Sequence, residues 1–214
     1  MQTPETFLTE LLRTTKECFE QSPIYKKQQN CSCQWSYSAC ATPIQRKKVI
    51  LIGINWGVSG NHSPQTQMPT GEDIKTYTFI QRSRKYLEQY FGLQFDPPNF
   101  NYTNLCFFRT PRQKDLHRKD YEMSLPLFME FVKYVEPNLI LSLGNTNSQI
   151  LECFKKLTKI NKHCDSQRKH YGVKASLDVF PYFSVPHPNA HVLTQSREEI
   201  WQKIGQDILI PKCE

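Results

Sequence analysis

Lys47-Lys48-Val49-Ile50-Leu51-Ile52-Gly53-Ile54-Asn55 decides how this chain folds. Two lysines lead into an unbroken apolar run that stops at a glycine and an asparagine. The run lacks polar alternation and is too short for a buried helix, so it reads as a strand buried on both faces, as in a parallel sheet. Three further segments read as strands: Tyr102–Phe108 (YTNLCFF), Asn138–Leu143 (NLILSL) and Val179–Val185 (VFPYFSV). Helical patterns separate them. Phe79, Ile80, Tyr86, Leu87, Tyr90 and Phe91 recur at helical spacing over 75–91, stopped by Gly92. Residues 116–135 form a second helical region, which Pro126 must kink or restart. Gly144-Asn145-Thr146 opens a helix over 147–160, and Ser196 with Glu199 makes a capping box for a last helix, Arg197–Ile208. Strands alternating with helices predict a three-layer α/β/α fold around a four-stranded parallel sheet.

Outside this core, Pro4 starts an amphipathic helix over 4–20 with Phe7, Leu8, Leu11, Leu12 and Phe19 on one face. Residues 21–47 read as an irregular, cysteine-bearing arm. The 214 residues suit a single domain, with 1–47 as its N-terminal part. At 12% aromatic residues the chain is too rich for a disordered one. No apolar run is long enough to span a bilayer, and the first residues have no signal-type apolar segment, so a cytoplasmic location is expected. Lys and Arg outnumber Asp and Glu by 27 to 20, a surplus that favours polyanionic partners, nucleic acid first. In a cytosolic setting the eight cysteines are buried thiols or metal ligands, and the spacing of Cys31, Cys33 and Cys40 is not a standard zinc pattern; no metal site and no cofactor are expected.

Ligands of parallel α/β sheets bind outside the carboxyl ends of the strands. On this reading those ends carry Asn55, Arg109, Gly144-Asn145 and His187.

Taken together, the strand ends resemble the uracil-DNA glycosylase superfamily. VILIGINWG is similar to its first motif, closest to the Gly-Ile-Asn-Pro-Gly form of the mismatch-specific branch. YTNLCFFRTP resembles the second strand, PNLILSLGNTNSQIL the strand before a helix, and VPHPNAH the second active-site motif. The resemblance spans about residues 48–205. It implies a glycosylase-like fold and a cofactor-independent enzyme that flips uracil or another modified base from single- or double-stranded DNA and hydrolyses its glycosidic bond. His187 takes the place of the residue that stabilises the departing base, and Asn55 that of the residue that positions water. Asn104 takes the place of the base reader, because one amide offers both a donor and an acceptor. Trp56, Tyr77 and Phe79 are the aromatics available to stack on the base, the last two being equally readable as core residues. Arg109, Ser59, Asn189 and His191 are the candidate DNA contacts. Trp56 stands where the family has proline, Asn189 where it has serine, and His191 where it often has an apolar wedge. A rival reading is a non-catalytic nucleobase- or nucleic-acid-binding module whose pocket Trp56 fills; a third is a metal-stabilised structural protein.

Overall fold

The computed structural model describes residues 2–29, 35–53, 56, 63–72, 74, 78–93, 99–110, 112–187 and 191–209, apart from the side chains of 78, 79 and 209. Its strands are β1 (Ser36–Tyr37), β2 (Val49–Gly53), β3 (Phe100–Asn104), β4 (Phe108–Arg109), β5 (Ile140–Leu143), β6 (Leu157–Cys164), β7 (Tyr171–Leu177) and β8 (Phe180–Val185). Its α-helices are α1 (Pro4–Gln21), α2 (Pro23–Gln28), α3 (Thr78–Phe91), α4 (Arg118–Val135), α5 (Asn145–Cys153) and α6 (Thr194–Leu209).

Six strands form one sheet in the order β3-β2-β5-β8-β7-β6. The first four run parallel, and β7 and β6 continue the sheet antiparallel. The fold is therefore mixed α/β with a mostly parallel sheet. Alternation along the strands sorts side chains between two cores. Ile50, Ile52, Ile140 and Tyr182 face α1, α4 and α5, whereas Leu51, Tyr102, Leu141 and Phe183 face α3 and α6.

Several expectations are corrected. The sheet has six strands, not four, because residues 157–177 form a hairpin that begins where the tail of a helix over 147–160 was expected. The second parallel strand ends at Asn104 rather than Phe108. Phe108-Arg109 instead pairs antiparallel with Ser36-Tyr37 in a separate ribbon, so Arg109 is not at an end of the main sheet. Ser196 lies inside α6, which begins at Thr194, and so is not its cap. The arm is likewise no loose segment: Trp35, Tyr37, Ala39, Cys40 and Ile44 are buried, and Ser38 N–H donates to the Phe107 carbonyl at 2.8 Å. Pro126 sits within α4, which continues through it.

Helices α3 and α6 touch through Gly205, where a Cβ would press into the carbonyl of Tyr90. Backbone cannot move aside as a flexible side chain can. We expect Gly205→Val to cost about 1–3 kcal/mol, read as a lower urea midpoint at unchanged slope.

Candidate functional site

Strand β3 carries two buried asparagines with opposite environments, Asn101 near its amino end and Asn104 at its carboxyl end. Asn101 is fully paired: its Oδ1 accepts from Gln45 N–H at 2.7 Å and its Nδ2 donates to the Gln45 carbonyl at 2.9 Å. Asn104, three residues on, is equally buried, yet neither its Nδ2 nor its Oδ1 has a hydrogen-bond partner. Among the described residues it is the one buried amide with both its nitrogen and its oxygen unpaired. Each such buried group costs about 1–3 kcal/mol unless a partner satisfies it.

Asn104 lies over Gly53, its register partner at the end of β2. A Cβ at Gly53 would collide with the Asn104 amide and come within 2.7 Å of Tyr102 Oη. Glycine at 53 is thus what lets the amide occupy the strand end. Trp56, half-buried, packs edge-on against Tyr102 with ring centroids 6.0 Å apart, and its indole Nε1 is buried without a partner. The aromatic wall beside Asn104 is therefore Tyr102 and Trp56.

A residue missed in the sequence also belongs here. Asn147, in the first turn of α5, donates through Nδ2 to the Gly53 carbonyl at 3.0 Å and to Ser142 Oγ at 2.9 Å. The Ser142 hydroxyl donates in turn to the Gly144 carbonyl at 2.8 Å. These bonds tie the end of β2 to that of β5, and no motif or periodicity marks Asn147 for the task. We expect Asn147→Leu to lower stability by about 1–2 kcal/mol in thermal unfolding, since Ser142 loses its donor.

His187 follows β8 through Pro186, half-buried, with its Cβ positioned 3.6 Å from where a Cβ would stand on Gly144. It lines a cleft of about 260 Å³ with Gly144, Asn145, Gln149, Lys169 and Tyr171. Asn145 is locked there: its Oδ1 accepts from Ser184 Oγ at 2.6 Å and its Nδ2 donates to the Tyr171 carbonyl. Burial, reinforced by the Arg197 guanidinium, pulls His187 below its ordinary value. The imidazole is therefore neutral at pH 7 and carries a single N–H.

His191 is exposed and Arg109 half-buried. Asn55, Ser59, Tyr77 and Asn189 lie outside the described residues. Phe79 is in α3, its side chain likewise outside them. The structure thus places Asn104, Trp56 and His187 at the carboxyl end of the sheet, and Arg109 in the separate β1–β4 ribbon. Burial pushes the Cys40 and Cys106 thiols up to about 12, so both remain protonated fillers of the core at neutral pH. Cys31 and Cys33 lie outside the described residues, and among those described no three His, Cys, Asp or Glu side chains are placed to hold a metal ion.

No protein-family model matches the chain, and no curated protein is significantly similar to it in sequence.

Proposed function

We propose that the chain is a uracil-DNA glycosylase-like protein that binds DNA, takes a flipped uracil or modified base at the strand ends, and hydrolyses its N-glycosidic bond without a cofactor. The observation that carries this reading is Asn104, a buried amide with both hydrogen-bonding atoms unpaired on one strand end. A nucleobase edge that presents an acceptor next to an N–H satisfies both at once. The parallel order β3-β2-β5-β8 supports it, because it sets the Asn104 strand and the His187 strand on opposite sides of β2 and β5. Three strand spacings separate them by about 14 Å, a gap that two inward-reaching side chains narrow to a ring.

In this reading the C1′–N bond breaks with both electrons going to the base, leaving an oxocarbenium-like sugar. The neutral His187 N–H stabilises the charge on the departing base, and water adds to C1′ while releasing a proton. Trp56 favours a second reading, a non-catalytic binding module, because its ring packs against the wall beside Asn104.

Labelled oligonucleotides carrying uracil in single strands, in U·A and U·G pairs, and a panel of deaminated and oxidised bases separate the two. Alkali-labile abasic sites at one base type, lost in Asn104 and His187 variants, support the enzyme. DNA binding with no abasic site across the panel supports the module.

A further inference from the structure

We propose that the β6–β7 turn, residues 165–170, walls a track for the phosphate backbone of the strand whose base enters the site; the choice of nucleic acid as occupant rests on the reading above. The His187 cleft and a second of about 650 Å³, lined by Gln167, His191, Leu193 and Ser196, share Lys169, His170 and Val192. The two therefore join as one trough leading from His187 past the turn.

The turn is preorganised. Asp165, 3% exposed, accepts the N–H groups of Lys169 at 2.8 Å and His170 at 3.2 Å. Ser166 N–H donates to Glu199 at 3.0 Å, and Lys203 Nζ donates to the Cys164 carbonyl at 2.8 Å, which anchor the turn on α6. Its one acid is thus consumed internally, and Gln167, Arg168 and Lys169 face solvent.

Charge identifies the occupant. Residues 155–174 contain seven lysines and arginines against one acid, a surplus of six in a chain whose whole surplus is seven. Lys174 is paired with Asp207 at 3.2 Å, and Lys162 lies over the Tyr171 ring. Arg168 and Lys169 make no ion pair among the described residues. Lysines on β6 itself have another use, because cations on an edge strand discourage pairing with another sheet. That does not account for Arg168 and Lys169, which are on the turn, with Lys169 lining both clefts. An ammonium lining the open trough, with a guanidinium fork on the next residue of the turn, matches successive phosphates.

The test uses the full chain and a fluorescent single-stranded oligonucleotide containing one uracil, with affinity measured from 50 to 300 mM NaCl. Arg168 has φ 55°, so Arg168→Asn keeps a backbone region that asparagine tolerates; it is combined with Lys169→Ser. Lys159→Ser with Lys162→Ser serves as the edge-strand control, and melting curves verify folding. We expect the turn pair to weaken binding about tenfold and lower the salt slope by about 1.4, with the edge pair near wild type. Unchanged binding by the turn pair, an equal loss in the edge pair, or no binding by the wild type overturns the proposal. Abasic sites scored on the same oligonucleotide separate it from the function. Turn-dependent binding without excision leaves the track and removes the enzyme, whereas excision with turn-independent binding does the reverse.

Discussion

Asn104→Leu is expected to fold at least as stably as the wild type and, on the proposed function, to lose base excision by about a hundredfold or more. Both halves follow from the same atoms. The wild-type amide is buried with its donor and its acceptor unpaired, so an apolar side chain of similar volume removes the cost of burying them, about 1–3 kcal/mol. The loss in excision follows because no other described side chain there offers a vacant donor beside a vacant acceptor, and stabilising interactions of that kind are worth about 10²–10³ in rate. Urea unfolding and single-turnover abasic-site formation read the two effects separately. Asn101→Leu is the contrasting control: it breaks bonds to Gln45 that are in place, so it loses stability. A structural role for Asn104 predicts that both leucine variants behave alike.

His187→Gln is expected to lower turnover by about 10²–10³ while DNA affinity stays close to wild type. It also changes how stability depends on pH. Above the ordinary histidine value of 6.5 the folded and unfolded chains both carry a neutral imidazole, and the residue adds no pH dependence. Below it the unfolded chain takes up the proton first, because burial and Arg197 hold the folded value lower. Stability contributed by neutral His187 is therefore fully present above 6.5 and is lost as the pH falls through the folded value. The glutamine variant flattens that acid loss in melting temperatures taken from pH 7.5 to 5. Turnover by the wild type stays level from pH 7 to 8.5, since the donor is a neutral imidazole. An imidazolium acid would lose about tenfold per pH unit over that range.

How much of this was legible in the sequence depends on what each segment buries. The strands β2, β5 and β8 are short apolar runs covered on both faces, so composition alone marks them. β3 is Phe-Asn-Tyr-Thr-Asn, and within it Asn101 and Thr103 are buried against partners that Gln45 and Ala39 of the arm supply. Those partners are more than fifty residues away, which is why the apolar YTNLCFF pattern drew the strand too far toward Phe108. The β6–β7 hairpin was hidden for the opposite reason. Residues 158–162 are all exposed on an edge, so β6 has no buried face to impose a period on its sequence. β7 did carry a signal, with Tyr171, Val173, Ala175 and Leu177 alternating toward one core, but the surrounding lysines masked it.

The site divides in the same way. His187 was visible as a strand-end residue, and Asn104 through the resemblance of its strand to a motif, inside a strand read as running on to Phe108. That Asn104 is unpaired, whereas Asn101 is paired, depends on where the arm crosses the sheet, and no local pattern records it. Asn147 was invisible because Gly53, whose carbonyl it binds, lies 94 residues away in the chain.

The most direct test of the vacant amide is the side-chain NH₂ resonance pair of Asn104 in a ¹⁵N-labelled sample, assigned by its disappearance in Asn104→Asp. Free uracil, thymine, cytosine and hypoxanthine are titrated in turn. The account predicts a signature of an unbonded amide in the free protein and a saturable downfield shift with at least one base, absent for the Asn101 pair. An Asn104 amide that is already hydrogen-bonded, or that no base moves, would contradict it.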